Sequence, residues 1–230
     1  MNSLLRSALA GLTVVLIAPA VLAKPGHLVP TNLALTFKSR QTRFVSRGGV
    51  KLEGALQDFK LDVTGAHCLD VGASTGGFTD CLLQYGAAHV HGIDVGRGQL
   101  HMRLRGHSRV TFQEGVNARY LSPADVPGPF DLITVDLAFI SLTRVLPVLA
   151  SLLKPRSGRL LALVKPQFEV GPEAIGRRGI VKDAKAHEQA LRKVTASMRK
   201  HGLVKIESAR SHITGTDGNV EFFLLAKPKP

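Results

Sequence analysis

Between residues 66 and 165, short apolar runs alternate with helix-patterned stretches, and this alternation constrains the fold more than any other feature. Residues 66–71, 89–94, 109–114, 130–136 and 159–165 each read as a strand. Residues 76–85, 99–106 and 141–153 read as the helices between them. Runs of this kind, rich in Val, Ile and Leu, are buried on both faces. Strands that take turns with helices imply an α/β domain: a mainly parallel sheet with helices on both faces. An apolar face made by Val50, Leu52, Ala55, Leu56 and Phe59 predicts a helix ahead of the first strand. Residues 183–201 form a long amphipathic pattern, with Asp183 as N-cap and Gly202 as its stop. Segments 203–208 and 219–226 close the chain as strands.

In such sheets ligands bind beyond the carboxyl ends of the strands. The first run ends in Asp70-Val71-Gly72-Ala73-Ser74-Thr75-Gly76-Gly77-Phe78, and the second ends in Asp94. Glycines there let the backbone approach a ligand and turn into a helix whose first N–H groups point at it. A carboxylate at the second strand end can accept hydrogen bonds from two ribose hydroxyls. Together they outline a nucleoside site made of Asp70, Gly72, Ser74, Gly76, Gly77, Phe78 and Asp94. A dinucleotide is the first rival, but its G-x-G-x-x-G fingerprint fits Gly72–Gly77 poorly. The acidic Asp70 would repel a pyrophosphate and suits a cationic or zwitterionic ligand such as S-adenosylmethionine. A bare glycine turn that only caps a helix stays open as the simplest alternative.

Composition narrows the partners. Lys+Arg number 30 against 17 Asp+Glu, a formal net charge of +13. Such a surplus favours polyanions, nucleic acid first and an anionic membrane second. Trp is absent and aromatics are 5%, which argues against wide stacking platforms for single-stranded bases. Cys68 and Cys81 fall in apolar patterns, as buried small hydrophobes do. They cannot build a cysteine-rich zinc site by themselves.

The start of the chain reads differently. Residues 1–23 hold an apolar run, interrupted by Pro19 and ending in Val21-Leu22-Ala23, that is similar to a signal peptide. Residues 24–46 read as a basic linker, broken by Pro25, Gly26 and Pro30 and carrying Lys38, Arg40 and Arg43. The globular domain is expected over 47–230.

The stretch from Arg43 onward resembles the TlyA family of ribosomal RNA 2′-O-methyltransferases, within the FtsJ-like group, a family also labelled haemolysin A. Arg43-Phe44-Val45-Ser46-Arg47-Gly48-Gly49-Val50-Lys51-Leu52-Glu53 looks like its opening motif, and 68–80 like its cofactor loop. Val164-Lys165-Pro166-Gln167-Phe168-Glu169 and Gly218-Asn219-Val220-Glu221-Phe222 look like its later motifs. The resemblance implies a Rossmann-like S-adenosylmethionine-dependent methyltransferase fold and a Lys-Asp-Lys-Glu tetrad at Lys51, Asp136, Lys165 and Glu221. Its implied partner is RNA, a cytidine of ribosomal RNA free or in a ribosomal particle, and its chemistry needs no metal.

The residue types fit that chemistry. A ribose hydroxyl needs a base as it attacks a methyl carbon, and Lys165 is the candidate. Burial and neighbouring positive charge favour a neutral lysine amine. Asp136 would orient that amine, and Glu221 would hold Lys51. The chain departs from the family at its start, where a signal-like segment stands in place of a small RNA-binding module. Basic side chains such as Arg47, Arg97, Arg103, Arg105, Arg177 and Arg178 are then expected to supply phosphate contact. Two rivals remain, a secreted membrane-active protein and a catalytically idle RNA-binding relative. The donor is an intracellular metabolite, so the cytoplasm is the expected location, with organellar targeting or export left open by residues 1–23. No stable membrane association is expected.

Overall fold

The computed structural model describes residues 42–230 and, upstream, five two-residue strands: Leu4–Leu5, Val14–Val15, Leu22–Ala23, Val29–Pro30 and Thr36–Phe37. The signal-like segment and the linker up to residue 41 otherwise lie outside the described residues. A compact unit runs from Phe44 to Pro230. It begins inside the stretch read as linker, because Phe44 is a core residue. A Cβ on Gly49 would collide with the Phe44 ring, so this glycine is what lets the ring pack down on the helix.

Seven strands form the sheet: β1 (His67–Val71), β2 (His89–Asp94), β3 (Val110–Glu114), β4 (Leu132–Val135), β5 (Arg159–Val164), β6 (Leu203–Arg210) and β7 (Phe222–Pro228). Their order is β3-β2-β1-β4-β5-β7-β6, and β7 runs antiparallel to both of its neighbours. The pairings among β1 to β5 are parallel. Strand order reverses between β1 and β4, the switch point where ligands bind in open α/β sheets.

Period two divides the strand residues between two cores. Leu69, Val71, Ile133, Leu160, Ala162 and Val164 face one layer, with helices α3 (Leu146–Ser151) and α4 (Ala184–Lys200). Cys68, Leu132, Leu161, Leu163 and Phe223 face the other, with α1 (Arg47–Asp58) and α2 (Gly77–Gln84). The expected architecture, helices on both faces of a mainly parallel sheet, is present. The N-terminal turns of α1 and α2 meet where a Cβ on Gly77 would strike Ser46 and the Gly49 amide. Close backbone approach therefore explains Gly77, whereas Gly49 clears the Phe44 ring and Gly76 the Leu100 and Leu104 side chains.

Three local expectations differ. Residues 99–106 form successive turns rather than a helix. Leu100 and Leu104 are still buried, at helical spacing, because the turns bring both against Gly76. Segment 141–153 is split into a 3-10 turn, Leu142–Arg144, and the short α3. Pro147 supplies no N–H to carry one helix through. The last strand starts at Phe222, so Glu221 precedes it instead of lying inside it. Asp183 does cap α4, accepting from the Lys185 amide, and Gly202 follows its end at φ +76.

One buried polar side chain gives a pH dependence. His91 on β2 is buried, and its ring nitrogens make no well-aligned hydrogen bond, although the Gln113 side chain is close enough to oppose part of the effect of burial. Burial holds its pKa below the usual 6.5. The folded state therefore binds fewer protons than the unfolded chain, so this contribution to stability is present above pH 6.5 and lost as pH falls below it. Asp70 acts in the opposite sense, because burial pushes its pKa up to about 7. Its contribution is lost as pH rises from 3.8 towards 7. The two overlap, so the difference between wild type and His91→Leu isolates the histidine. Urea unfolding at pH 7.5 and 5.5 should show the variant losing less stability on acidification. Parallel losses in the two proteins would refute it.

Candidate active site

A cleft of about 990 Å³ opens at the switch point, lined by the ends of β1, β2 and β4 and the segments after β3 and β5. Gly72 forms the first wall at φ +81, and a Cβ there would collide with the Asp136 carbonyl. The exits of β1 and β4 thus approach at backbone distance, which no other residue allows. Ser74 follows at φ +49, and its amide donates to Asp94 Oδ2 at 2.8 Å. The Gly96 amide donates to Asp94 Oδ1 at 2.6 Å. Asp94 is therefore held at the end of β2 by two backbone donors, facing the cleft beside Gly72 and Ser74.

The other residues expected at the cofactor loop lie behind it. Asp70 is fully buried and accepts from Thr79 Oγ1 at 2.7 Å and Thr134 Oγ1 at 3.0 Å. It ties β1 to α2 and β4 and does not line the cleft. Desolvation is what raises its pKa, and the negative charge of Asp136 adds to the rise. A cation in the cleft would favour its ionised form through the same field. Gly76 turns the chain at φ +91 ahead of α2, and Phe78 packs on Phe223 in the core. Gly76, Gly77 and Phe78 are support for the loop rather than its surface.

The four tetrad residues form two ion pairs at the carboxyl edge. Lys165 Nζ lies 2.5 Å from Asp136 Oδ1, and Lys51 Nζ lies 2.5 Å from Glu221 Oε2. Lys165 and Asp136 line the cleft. Lys51 sits one turn inside α1 rather than at its start, and its pair with Glu221 is buried. Sheet register relates the two pairs: Val164 is paired with Phe222. Extending that register by one step sets Lys165 opposite Glu221, the residue that precedes β7.

Sequence patterns missed two parts of this cleft. Residues 116–120 after β3 form its far wall, with Tyr120 at 73% exposure and Arg119 5.6 Å from its ring centroid. Phe139 sits on the rim at 91% exposure, its ring 5.3 Å from that of Phe168. It adopts φ +64, a left-handed conformation that costs about 1–2 kcal/mol for a residue with a Cβ. Few aromatics are present, but three of them gather at one mouth. Each follows a strand end in the sequence, but only the order of the strands brings the three to one mouth.

This sheet order, with its cleft at the β1/β4 reversal, is the Rossmann-like fold of S-adenosylmethionine-dependent methyltransferases. A methyltransferase of that kind from Mesorhizobium loti shares the fold at a TM-score of 0.55 and 18% identity, over 75% of this chain and 95% of that one. The chain belongs to the FtsJ-like methyltransferase family, which matches residues 44–227. It is 45% identical over 207 residues to the 16S/23S rRNA (cytidine-2′-O)-methyltransferase TlyA of Mycobacterium tuberculosis, covering 90% of this chain and 76% of that protein. A structure from Streptococcus thermophilus described as a hemolysin aligns at a TM-score of 0.80 and 44% identity, over 96% of this chain and 80% of that one. The resemblance to the TlyA family read from the motifs is borne out by these matches.

Proposed function

We propose that this protein transfers a methyl group from S-adenosylmethionine to a ribose 2′-hydroxyl of RNA, on a cytidine of ribosomal RNA. The observation that carries the reading is the Lys165–Asp136 pair in the cleft wall, next in register to the Lys51–Glu221 pair. The residues fit the donor. Gly72 and Ser74 line the cleft beside Asp94, and the Asp94 carboxylate retains acceptor capacity for ribose hydroxyls. Bound there, S-adenosylmethionine supplies a methyl already activated on a sulfonium.

The chain's own side chains do the rest. Lys165 Nζ, in its neutral form, takes the hydroxyl proton while the oxygen bonds to the methyl carbon and the carbon–sulfur bond breaks. Asp136 keeps that amine in the cleft wall by charge, since their contact is an ion pair without hydrogen-bond alignment. Lys51 and Glu221 set a balanced charge pair beside it, so the cleft gains no net charge from them. Phe139 offers an exposed ring face at the rim, and an unstacked base can lie on it. Arg119 and Arg144, exposed at the cleft, are placed for phosphate contact. The target on a naked RNA or on a ribosomal particle is part of the same proposal.

The haemolysin label carries no competing geometry. Among the described residues, no helix is long and apolar enough to cross a membrane. Incubation with methyl-labelled donor and ribosomal RNA should place label on a ribose 2′-oxygen. Label on a base, or none on any RNA or particle, would refute the proposal. A second test addresses the donor: Asp94→Ala should weaken S-adenosylmethionine binding roughly tenfold or more, since it removes a charged acceptor. Calorimetry with unchanged affinity and a native circular dichroism spectrum would remove Asp94 from the donor site.

A further inference from the structure

Glu169 is a buried carboxylate that the chemistry above does not use. It sits four residues beyond Lys165, at the end of the 3-10 turn Pro166–Phe168. Its Oε2 accepts from Ser141 Oγ at 2.6 Å, and its Oε1 accepts from the Leu142 amide at 2.7 Å. Ser141 and Leu142 lie five and six residues beyond Asp136, where the exit from β4 enters the turn Leu142–Arg144. Glu169 thus takes a free N–H at the start of that turn from another segment of the chain. Lys193, from α4, holds the same residue twice. Its Nζ donates to the Glu169 carbonyl at 2.6 Å and lies 3.4 Å from Oε2.

These contacts make a ladder between the two segments that carry the Lys165–Asp136 pair. The first rung is that ion pair at the strand ends. The second is the contact of Phe139 with Phe168. The third is Glu169 on Ser141 and Leu142. Phe139 lies between the outer rungs in a left-handed conformation, which persists only where the surroundings over-determine it. A buried carboxylate with two short hydrogen bonds and a lysine partner is a rigid anchor, because any rotation would leave charge unpaired in a dry site.

We infer that Glu169, gripped by Lys193, is a positioning residue that sets the separation and orientation of Asp136, Lys165 and Phe139 for methyl transfer. The inference rests on the proposal that Lys165 and Asp136 carry the chemistry. Glu169 touches neither donor nor reacting atoms in this scheme. It acts by fixing the far end of both cleft segments, and misplacement by about 1 Å is enough to slow an oriented reaction by about 10²-fold.

The test uses the full chain with saturating ribosomal RNA and S-adenosylmethionine, in single turnover. Glu169→Gln keeps the shape and one acceptor but puts an amide where the Lys193 and Ser141 contacts need oxygen. Its rate should fall at least tenfold, while donor and RNA dissociation constants stay within twofold of wild type. Ser141→Ala removes one of the two hydrogen bonds on the carboxylate, along with the Ser141 hydroxyl's contacts to Thr143, and should give a smaller loss of rate. The double variant should lose less than the product of the two, since both act through one clamp. Glu169→Asp, which restores the charge one methylene short, should recover part of the rate. An unchanged rate in Glu169→Gln overturns the inference. So does a fall in rate that tracks equal losses of donor and RNA binding, which would make Glu169 merely structural. If Glu169→Gln does not fold, Ser141→Ala decides by the same two criteria. Lys165→Arg is measured beside them: a near-normal rate there refutes the base, whereas an inactive Lys165→Arg with a fully active Glu169→Gln refutes only the clamp.

Discussion

Replacing Lys165 by arginine should lower the single-turnover rate of methyl transfer by about 10²–10⁴-fold, the range of a lost general base. Arginine retains the positive charge next to Asp136 and can pair with that carboxylate in a fork. Donor and RNA binding should therefore survive. What arginine cannot do is deprotonate, because its guanidinium stays charged throughout the working pH range. An alanine substitution would confuse the two effects, since it also strands Asp136 in a half-buried cleft. A near-normal single-turnover rate in Lys165→Arg would limit Lys165 to electrostatics or positioning.

The ends of β1, β2, β4 and β5 were legible because their strands are apolar on both faces and stop abruptly. Asp94 could be singled out from that break alone, Asp136 and Lys165 through the family resemblance, and the structure sets all three in the cleft wall. Asp70 shows what a motif leaves out. It names a residue type next to the loop, but not the side to which the carboxylate points. Thr79 and Thr134 decide that side, and they are 9 and 64 residues away. Residues 116–120 and Phe139 were invisible for a related reason. Their place depends on which strand lies next to which, and the order β3-β2-β1-β4 is set by long-range packing. Glu169 belonged to a recognisable motif, yet its role appears only with Ser141 and Lys193 beside it. The helix read over 141–153 is present in part and split, because Pro147 lacks the N–H that would carry one helix through.

The Lys51–Glu221 pair gives the largest expected effect on stability. Both side chains are nearly out of solvent, at 10% and 3% exposure, and their contact is 2.5 Å. Breaking such a pair by removing one partner costs about 3–5 kcal/mol, because the other charge is left uncompensated. Glu221→Leu strands the Lys51 ammonium, and Lys51→Met strands the Glu221 carboxylate. The second change should cost more, since Glu221 is the deeper of the two. Replacing both at once should recover much of the loss, as apolar residues of similar volume often stabilise such a site. The helix stays docked in the double variant by other contacts. Arg47 Nη2 donates to the Thr214 carbonyl at 2.8 Å, and His212 Nε2 lies 3.0 Å from Asp58. Urea unfolding should therefore show strongly non-additive costs, with the double variant more stable than either single one. Methyl transfer should not return with it, because the site then lacks the Lys51–Glu221 charge pair. Simple addition of the two single costs would mean that the pair is not coupled. A stable double variant with wild-type single-turnover rate would confine Lys51 and Glu221 to architecture and leave Lys165 and Asp136 as the whole of the catalytic charge.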